Sequence, residues 1–224
     1  MKILLISATQ KEVEPLLKKM VVKEKSLNIF KCKYNDFFID VLISGVGILS
    51  TAYYLTKFIK RDYDLVINAG ICGSFSHNFE IGQVLNVVSE QFSDIGVEDS
   101  NNFLTVFEAG LIDYNENPFV NGVLVNDFKH IQINDLEKVT AVTVNIVHGN
   151  KESISQVKQK FNPDIETMEG AAVFFVCLAE NLPFVEIRAV SNYVEERNKG
   201  NWNIPLAVNN LNKMLFDFIK NINQ

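Results

Sequence analysis

Two glutamates, Glu166 and Glu169, flank a methionine in the stretch Ile165–Ala172. The apolar run Val173–Leu178 follows at once, so the carboxylates stand at the start of what its composition predicts to be a buried helix. Burying a lone charge costs free energy unless partners compensate it. Glu169 must therefore find partners inside the protein, or face a cleft and bind a polar ligand.

Other polar side chains follow apolar segments that the pattern predicts to be strands. Glu12 comes after Lys2–Ile6, Arg188 lies inside Phe184–Val190, and Asn192 follows that segment. An arginine inside an apolar strand has to pair with an acid or face a cleft. Since open parallel sheets bind ligands at the carboxyl ends of their strands, we expect these side chains to meet in one site.

Two glycine-rich segments follow further predicted strands. Gly45-Val46-Gly47 precedes a helix predicted from Ile48 to Ile59, and Ser50 stands where a dinucleotide fingerprint has its third glycine. A tight turn that approaches a ligand closely explains this segment better than a cofactor site. Gly70–Ser74 follows the predicted strand Asp64–Ala69 and is expected to be a loop. That loop either approaches a ligand or only turns the chain.

The alternation of strands and helices predicts an α/β fold with a mixed, mostly parallel central sheet flanked by helices, in a single domain of residues 1–224. Thr9 followed by Glu12 predicts a capping box, which gives Glu12 a structural role beside any chemical one. The segment Phe92–Asn117 is expected to be irregular and long enough to contact a substrate or another subunit. The other predicted strands are Asn28–Tyr34, Phe37–Ser44, Gln83–Ser89, Lys138–Val147 and Asp164–Met168, and the other predicted helices are Lys11–Met20, Glu152–Lys160, Gly170–Asn181 and Ile204–Ile222.

The composition narrows the classes of partner. The net charge is −6 and no basic tail is present, which argues against nucleic acid and an anionic membrane surface as partners. No apolar run approaches membrane-spanning length, and the start of the chain does not have the pattern of a signal peptide. The three cysteines lack metal-ligand spacing and are expected to be reduced core thiols. We therefore expect a soluble, cytoplasmic protein.

Several catalytic motifs are missing from the sequence. It has neither the Gly-x-Ser-x-Gly elbow of a serine hydrolase nor a Gly-x-x-x-x-Gly-Lys-Ser/Thr phosphate loop. His77, His130 and His148 are isolated from one another and are expected to be ordinary loop or surface residues. The sequence predicts no metal and no cofactor.

Taken together, these residues resemble the nucleoside phosphorylase/nucleosidase superfamily. The resemblance implies a nucleoside phosphorylase-like fold and cleavage of the N-glycosidic bond of a purine nucleoside through an oxocarbenium-like transition state. Similarity to methylthioadenosine/S-adenosylhomocysteine nucleosidases rests on Met1–Glu12, Ser44–Gly47, Asn68–Gly70, Met168-Glu169 and Arg188–Ser191. A closer similarity, to futalosine hydrolases, rests on Thr143–Asn145, Val147–Gly149, Glu166–Ala172, Ser191–Glu195 and Trp202–Leu206.

The resemblance also implies roles for individual residues. Glu169 would accept hydrogen bonds from the ribose hydroxyls, with Met168 packed against the sugar. Glu12 would be the general base that activates water, and Arg188 would help to hold that water. Trp202 matches an aromatic lid. The remaining residues of the predicted substrate-binding set are Gly73, Val147, His148 and Glu166, of which Glu166 contacts the substrate side chain, supports another residue or forms a surface salt bridge.

Two positions depart from the adenosine-type relatives. Ile71 stands where they have serine, which removes one expected contact to the water. Asn192 replaces an aspartic acid that can give a proton to N7 of adenine and accept from its amino group. An amide oxygen accepts instead from a protonated N7, and the amide nitrogen donates to a 6-oxo group. Asn192 therefore fits hypoxanthine and not adenine, and the leaving-group proton must come from elsewhere.

The turn Ala8-Thr9-Gln10-Lys11 lacks the arginine with which phosphorylase relatives bind phosphate, so water is the favoured nucleophile. Futalosine, which releases hypoxanthine in menaquinone biosynthesis, is the substrate that the resemblance favours. Its carboxyphenyl group would need a cation, for which Arg197 and Lys199 are candidates unless they are only solvated surface charges. The alternatives are cleavage of another nucleoside, such as inosine or methylthioadenosine, a phosphorylase, or a non-catalytic nucleoside-binding protein. Relatives form dimers, so a homodimer or higher homo-oligomer is expected.

Overall fold

The computed structural model describes residues 1–100, 102–129, 133 and 135–222. Its helices are α1 (Gln10–Leu17), α2 (Ile48–Phe58), α3 (Lys151–Phe161), α4 (Gly170–Ala179) and α5 (Ile204–Asn221). Its strands are β1 (Lys2–Ser7), β2 (Val21–Lys25), β3 (Ile29–Tyr34), β4 (Phe37–Ile43), β5 (Leu65–Ser74), β6 (Val84–Phe92), β7 (Gly96–Asp99), β8 (Asn102–Thr105), β9 (Leu124–Val125), β10 (Glu137–Thr143), β11 (Ile165–Thr167) and β12 (Phe184–Tyr193).

The central sheet is mixed, as predicted. Its strands follow the order β11-β10-β6-β12-β5-β1-β4-β3-β2, and β9 pairs with β6. The central strands β4, β1, β5 and β12 run parallel to one another. The short strand β11 pairs with both β10 and β5, so β5, β12, β6, β10 and β11 close into a ring. The strand ends that carry most of the predicted site residues belong to this ring.

Alternate residues of the strands are buried on opposite faces of the sheet. In β1, Ile3 and Leu5 join the core formed with α1 and α5, whereas Leu4 and Ile6 join the core formed with α2 and α4. Helices therefore cover both faces of the central strands, which is why most of the residues in these strands are apolar. The α/β prediction is confirmed.

The predicted loop at Gly70–Ser74 is wrong, because β5 continues through these residues to Ser74. The predicted strand Phe184–Val190 likewise continues to Tyr193 and pairs with β5 along its length, with an irregularity in register between Val190 and Asn192. Strand pairing continues past the apolar residues because backbone groups of both strands hydrogen-bond to each other whatever their side chains.

Two further predictions differ from the structure, and one strand was not predicted. The segment Phe92–Asn117 is not irregular throughout, because it contains the antiparallel pair β7–β8. The strand predicted at Lys138–Val147 ends at Thr143. The strand Val21–Lys25 was missed because its residues are all exposed and show no apolar alternation. The predicted turn Asn35-Asp36 is confirmed, since β3 and β4 pair up to Tyr34 and Phe37 on either side of it.

The cysteines are buried and free, as predicted. Burial raises the pKa of Cys32 to about 11 and that of Cys72 to about 12, so both are protonated thiols at neutral pH. Within the described residues, no helix is long and apolar enough to span a bilayer.

A buried asparagine of α5 holds the backbone of α1. Nδ2 of Asn212 donates to the carbonyl oxygen of Glu12 (2.7 Å), and Oδ1 of Asn212 accepts from the N–H of Leu16 (2.9 Å). An α-helix joins these two backbone groups directly, so Asn212 bridges one turn of α1. This contact fixes the segment that carries Glu12.

Replacing Asn212 with alanine should lower the free energy of unfolding by about 3 kcal/mol, because two buried backbone groups lose a partner. Urea denaturation measures this loss. Lys213→Ala, at the exposed neighbouring position of α5, is the control and should change stability little. Equal stability of the two variants would contradict the bridging role of Asn212.

Candidate active site

Glu12 folds back over the N-terminus of its own helix and also reaches β5. Its Oε2 accepts from the backbone N–H of Thr9 (2.9 Å), as the predicted capping box requires. Its Oε1 accepts from the N–H of Ile71 (3.2 Å). The side chain is buried, so one carboxylate joins the end of β1 to the middle of β5.

Arg188 lies in β12 and is 1% exposed. Its Nε donates to Oε1 of Glu186 (2.7 Å), and its Nη1 lies 3.9 Å from Oε2 of Glu169. The other oxygen of Glu186 accepts from Nδ2 of Asn68 (3.0 Å). The expectation that this arginine pairs with an acid is confirmed. Glu186 was not among the predicted partners, although its position two residues before Arg188 puts both side chains on one face of the strand.

Gly70 lets the arginine and Glu12 approach the sheet. A Cβ atom at this position would collide with Nη1 of Arg188 and would lie 3.0 Å from Oε1 of Glu12. Both side chains therefore lie against the backbone of one glycine, and a side chain at this position would displace them.

Glu169 occupies the position before the first turn of α4, but its side chain does not cap that helix. Its Oε1 accepts from the N–H of Gly47 (3.0 Å), whose φ of 92° belongs to a tight turn. The interpretation of Gly45-Val46-Gly47 as a turn is confirmed. Burial raises the pKa of Glu169, while the charge of Arg188 and the N–H of Gly47 oppose this change.

The arginine remains charged in this setting. Burial disfavours the guanidinium, but the carboxylates of Glu186 and Glu169 more than offset this effect, and the pKa of Arg188 is raised. Within the described residues, its Nη2 has no hydrogen-bond partner. This buried donor can therefore bind an oxygen atom of a ligand.

A second group surrounds Gly73. This glycine pairs with Asn192 on β12 and with Glu166 on β11. A Cβ atom on Gly73 would lie 3.2 Å from Nδ2 of Asn192 and 3.5 Å from Cγ of Glu166. Both side chains thus lie on the same side of β5, together with Cγ2 of Val194, which would be 2.9 Å from the same Cβ atom.

Glu166 and His148 form a pair. Oε2 of Glu166 lies 2.7 Å from Nδ1 of His148, and Oε1 accepts from the backbone N–H of His148 (3.2 Å). Glu166 is 4% exposed, so the surface salt bridge considered for it is wrong, and His148 is not an isolated surface residue. His130 lies outside the described residues.

The amide of Asn192 is held by its neighbours. Oγ of Ser191 lies 2.8 Å from Oδ1 of Asn192 and 3.0 Å from the carbonyl oxygen of Cys72, so its one hydrogen is divided between two acceptors. Nδ2 of Asn192 donates to the carbonyl oxygen of Tyr193 (3.1 Å). An amide can accept two hydrogen bonds and donate two, so Asn192 keeps one acceptor and one donor site for a ligand.

The two groups lie along one strand. Two residues of β5, Ile71 and Cys72, separate Gly70 from Gly73, and the three residue steps between the glycines correspond to about 10 Å. Met168, between Glu166 and Glu169 in the chain, is half-buried. The predicted residues Glu12 and Arg188 thus meet at Gly70, with Glu169 beside the guanidinium. Asn192 and Glu166 meet at Gly73, and His148 pairs with Glu166.

The remaining predicted residues lie beside the second group. Val147 precedes His148 and is half-buried. Asn203, directly after Trp202, donates its N–H to the carbonyl oxygen of Ser191 (2.8 Å), which anchors the half-buried Trp202 near Asn192. The guanidinium of Arg197 lies over the ring of Trp202, 5.3 Å from its centre.

His148 also faces a cleft of about 920 Å³ between the β7–β8 hairpin and α3. Phe103 and Phe161 are among the apolar side chains in its wall. No three histidine, cysteine or acidic side chains of the described residues come together as a metal site.

The chain matches the family described as Phosphorylase superfamily over residues 2–220. It is 26% identical to a 5′-methylthioadenosine/S-adenosylhomocysteine nucleosidase of Haemophilus ducreyi, covering 99% of this chain and 98% of that protein. It is 30% identical to a futalosine hydrolase of Streptomyces coelicolor, covering 75% of this chain and 73% of that protein. The fold is similar to that of futalosine hydrolase from Helicobacter pylori, with a TM-score of 0.82, 18% identity and coverage of 98% and 97%. The predicted superfamily and fold are confirmed, and both narrower names occur among the relatives.

Replacing Arg188 with methionine should lower the free energy of unfolding by about 3–5 kcal/mol at pH 7, because Glu186 and Glu169 would remain buried without their cation. The charge of Arg188 opposes the effect of burial on the pKa of Glu169, so without the arginine Glu169 would take up a proton more readily and the loss should shrink as the pH falls. Urea denaturation at several pH values measures it.

Arg61→Met removes an exposed ion pair with Glu180 and serves as the control. If Arg188→Met matched the stability of this control at pH 7, the buried ion pairs would not hold the site together.

Proposed function

Because the chain belongs to the phosphorylase superfamily, we propose that it hydrolyses the N-glycosidic bond of a purine nucleoside, and that this nucleoside is futalosine, from which it releases hypoxanthine. The proposal rests on one observation, which is that two clusters of side chains with different chemistry lie beside β5. Glu12 and Arg188 converge at Gly70, Glu169 faces the guanidinium of Arg188, and Asn192 lies opposite Gly73. Ribose fits the first group and a 6-oxopurine fits the second.

Glu169 is suited to bind the ribose. A carboxylate can accept two charge-assisted hydrogen bonds from neighbouring hydroxyls, and its charge stabilises a sugar that becomes cationic in the transition state. The hydrogen bond from Gly47 and the charge of Arg188 favour its ionised form against burial. Because the pKa of Glu169 is raised, sugar binding should weaken as the pH falls through that pKa.

Glu12 and Arg188 are suited to activate water. Oε1 of Glu12 lies at Gly70 beside the guanidinium, and the Nη2 donor of Arg188 can hold an oxygen atom. The carboxylate then takes a proton from that water as it attacks the anomeric carbon. A phosphate dianion would meet these carboxylates with a single arginine to compensate its charge, which favours water as the nucleophile.

Asn192 is suited to the leaving base. Ser191 binds Oδ1 and so fixes the amide, whose remaining acceptor and donor sites match a protonated N7 and a 6-oxo group. Adenine has an amino group, which is a donor, at position 6, where the amide nitrogen of Asn192 would also offer a donor. Discrimination of this kind against the wrong base can reach about 10⁴-fold.

The loop after β12 supports futalosine in particular. Arg197 lies over Trp202, and its backbone N–H donates to the carbonyl oxygen of Gly149 (3.1 Å), next to His148. Arg197 is exposed, and we propose that it binds a carboxylate on the substrate's side chain. Activity on futalosine would assign the chain to menaquinone biosynthesis.

The second candidate is cleavage of methylthioadenosine or S-adenosylhomocysteine. It is favoured by the Haemophilus ducreyi relative, whose similarity extends over almost the whole chain. Asn192 argues against it, because an amide cannot give adenine the proton that an aspartic acid supplies.

The test is to incubate the protein with futalosine, aminofutalosine, inosine and methylthioadenosine, with and without phosphate, and to identify the released base. We expect hypoxanthine from futalosine at a rate that does not depend on phosphate, and a shift towards 6-amino substrates in Asn192→Asp. Comparable cleavage of 6-oxo and 6-amino forms by the wild type would refute the base assignment. Phosphate-dependent formation of a sugar 1-phosphate would refute hydrolysis, and binding without base release would indicate a nucleoside-binding protein.

We also propose that the protein is a homodimer. Val46, Leu49 and Tyr53 are exposed apolar side chains at the start of α2, beside the Gly47 that binds Glu169. Such a patch near a site is typical of an interface. Light scattering should give about twice the chain mass of 25.4 kDa; a monomer at micromolar concentration would contradict the proposal.

A further inference from the structure

Glu90 of β6 is fully buried, and the chemistry proposed above does not use it. Its Oε2 lies 2.9 Å from Oγ1 of Thr143, and its Oε1 lies 3.1 Å from Oγ1 of Thr167. The two threonine hydroxyls are 3.0 Å apart. One carboxyl group and two hydroxyl groups therefore form a closed ring with three contacts.

The number of hydrogen atoms decides the charge of this ring. Each threonine hydroxyl has one hydrogen to donate, so the two hydroxyls can supply two of the three hydrogen bonds. The backbone N–H groups of Ala171 and Gly170 donate to Thr143 (2.8 Å) and Thr167 (3.2 Å), and so occupy acceptor sites on these hydroxyls. The third hydrogen bond requires a proton on the carboxyl group of Glu90.

The surroundings of Glu90 also favour its neutral form. A Cβ atom on Gly170 would collide with Oε1 of Glu90 and would lie 2.7 Å from Oε1 of Glu186, so the two carboxyl groups are close. Burial and the charge of Glu186 raise the pKa of Glu90. The hydroxyls of Thr143 and Thr167 and the charge of Arg188 act in the opposite direction, and the thiol of Cys72 lies within electrostatic range.

The ring has a consequence for Glu169. Gly170 and Ala171 are the first residues of α4, and their N–H groups would otherwise need a capping side chain. Because Thr167 and Thr143 accept from them, the carboxylate of Glu169 is free to bind Gly47 and to face Arg188.

We propose that Glu90 is a neutral carboxylic acid that closes a hydrogen-bonded ring with Thr143 and Thr167, and that this ring caps α4 and so positions Glu169. Glu90 is a positioning residue, since it acts on the substrate through Glu169. The part of this inference that concerns activity rests on the proposed function, whereas the proton on Glu90 and the cap on α4 do not.

The direct test is infrared difference spectroscopy of the wild type against Glu90→Gln at neutral pH. We expect the carbonyl stretching band of a protonated carboxylic acid in the wild type, and its loss in the variant. A wild-type spectrum without this band would overturn the proposal. This measurement does not depend on nucleosidase activity, so it remains decisive if the proposed substrate is wrong.

Stability provides a second test. In the unfolded chain Glu90 ionises near its ordinary pKa of 4.5, while in the folded chain it keeps its proton to higher pH. Wild-type stability should therefore fall relative to Glu90→Gln as the pH rises above about 4.5. Glu186, Arg188 and Cys72 are present in both proteins, so the difference reports on Glu90. A gain in the relative stability of the wild type with rising pH would contradict a neutral Glu90.

Activity tests the positioning role. Glu90→Ala should lower kcat/KM at least about tenfold, because displacing a binding group by about 1 Å can cost about 100-fold. Glu90→Gln should recover most of this loss, since its amide supplies both a donor and an acceptor to the threonines. Thr167→Val, which removes one ring hydroxyl at nearly constant volume, serves if Glu90→Ala does not fold. A Glu90→Gln variant as impaired as Glu90→Ala would show that the charged form is required and would overturn the proposal.

Discussion

The structure depends on one buried cation. The guanidinium of Arg188 is held by Glu186 and faces Glu169, and Glu12 lies beside it at Gly70. A buried charge is tolerated only when partners and hydrogen bonds compensate its desolvation. One cation cannot compensate the carboxyl groups of Glu12, Glu90, Glu169 and Glu186 if all four are charged. Glu90, whose oxygens contact two threonine hydroxyls, is the one that we propose to be protonated. The two glycines at which these side chains converge, Gly70 and Gly170, leave the room that such close packing of charged groups requires.

This arrangement divides the proposed reaction along one strand. At Gly70 the carboxylates and the guanidinium suit a sugar that becomes cationic and a water molecule that must lose a proton. At Gly73 the neutral amide of Asn192 suits a base that is recognised by hydrogen bonds. The irregularity in β12 between Val190 and Asn192 matters here, because it sets the register in which Asn192 lies opposite Gly73. The backbone of the sheet thus fixes the spacing between the groups for sugar and base.

Much of this could be predicted from the sequence. The apolar strands, the helices between them and the need of Arg188 for an acid all follow from local patterns, and the capping box at Glu12 follows from its spacing to Thr9. The continuation of β5 through Gly70–Ser74 could not be predicted, because it depends on pairing with a strand more than a hundred residues away. Glu90 also escaped prediction, since its partners Thr143 and Thr167 come from two other strands. The sequence identifies the ionisable residues, but tertiary contacts decide which of them are charged in the folded protein.

The most direct test of this account is a crystal structure of the protein with hypoxanthine and a ribose analogue bound together. We predict that the sugar hydroxyls lie within hydrogen-bonding distance of Glu169 beside Arg188, and that the 6-oxo edge of the base faces the amide of Asn192 beside Gly73. A base bound at the arginine end of β5, or a ligand lodged in the cleft between the β7–β8 hairpin and α3, would contradict it.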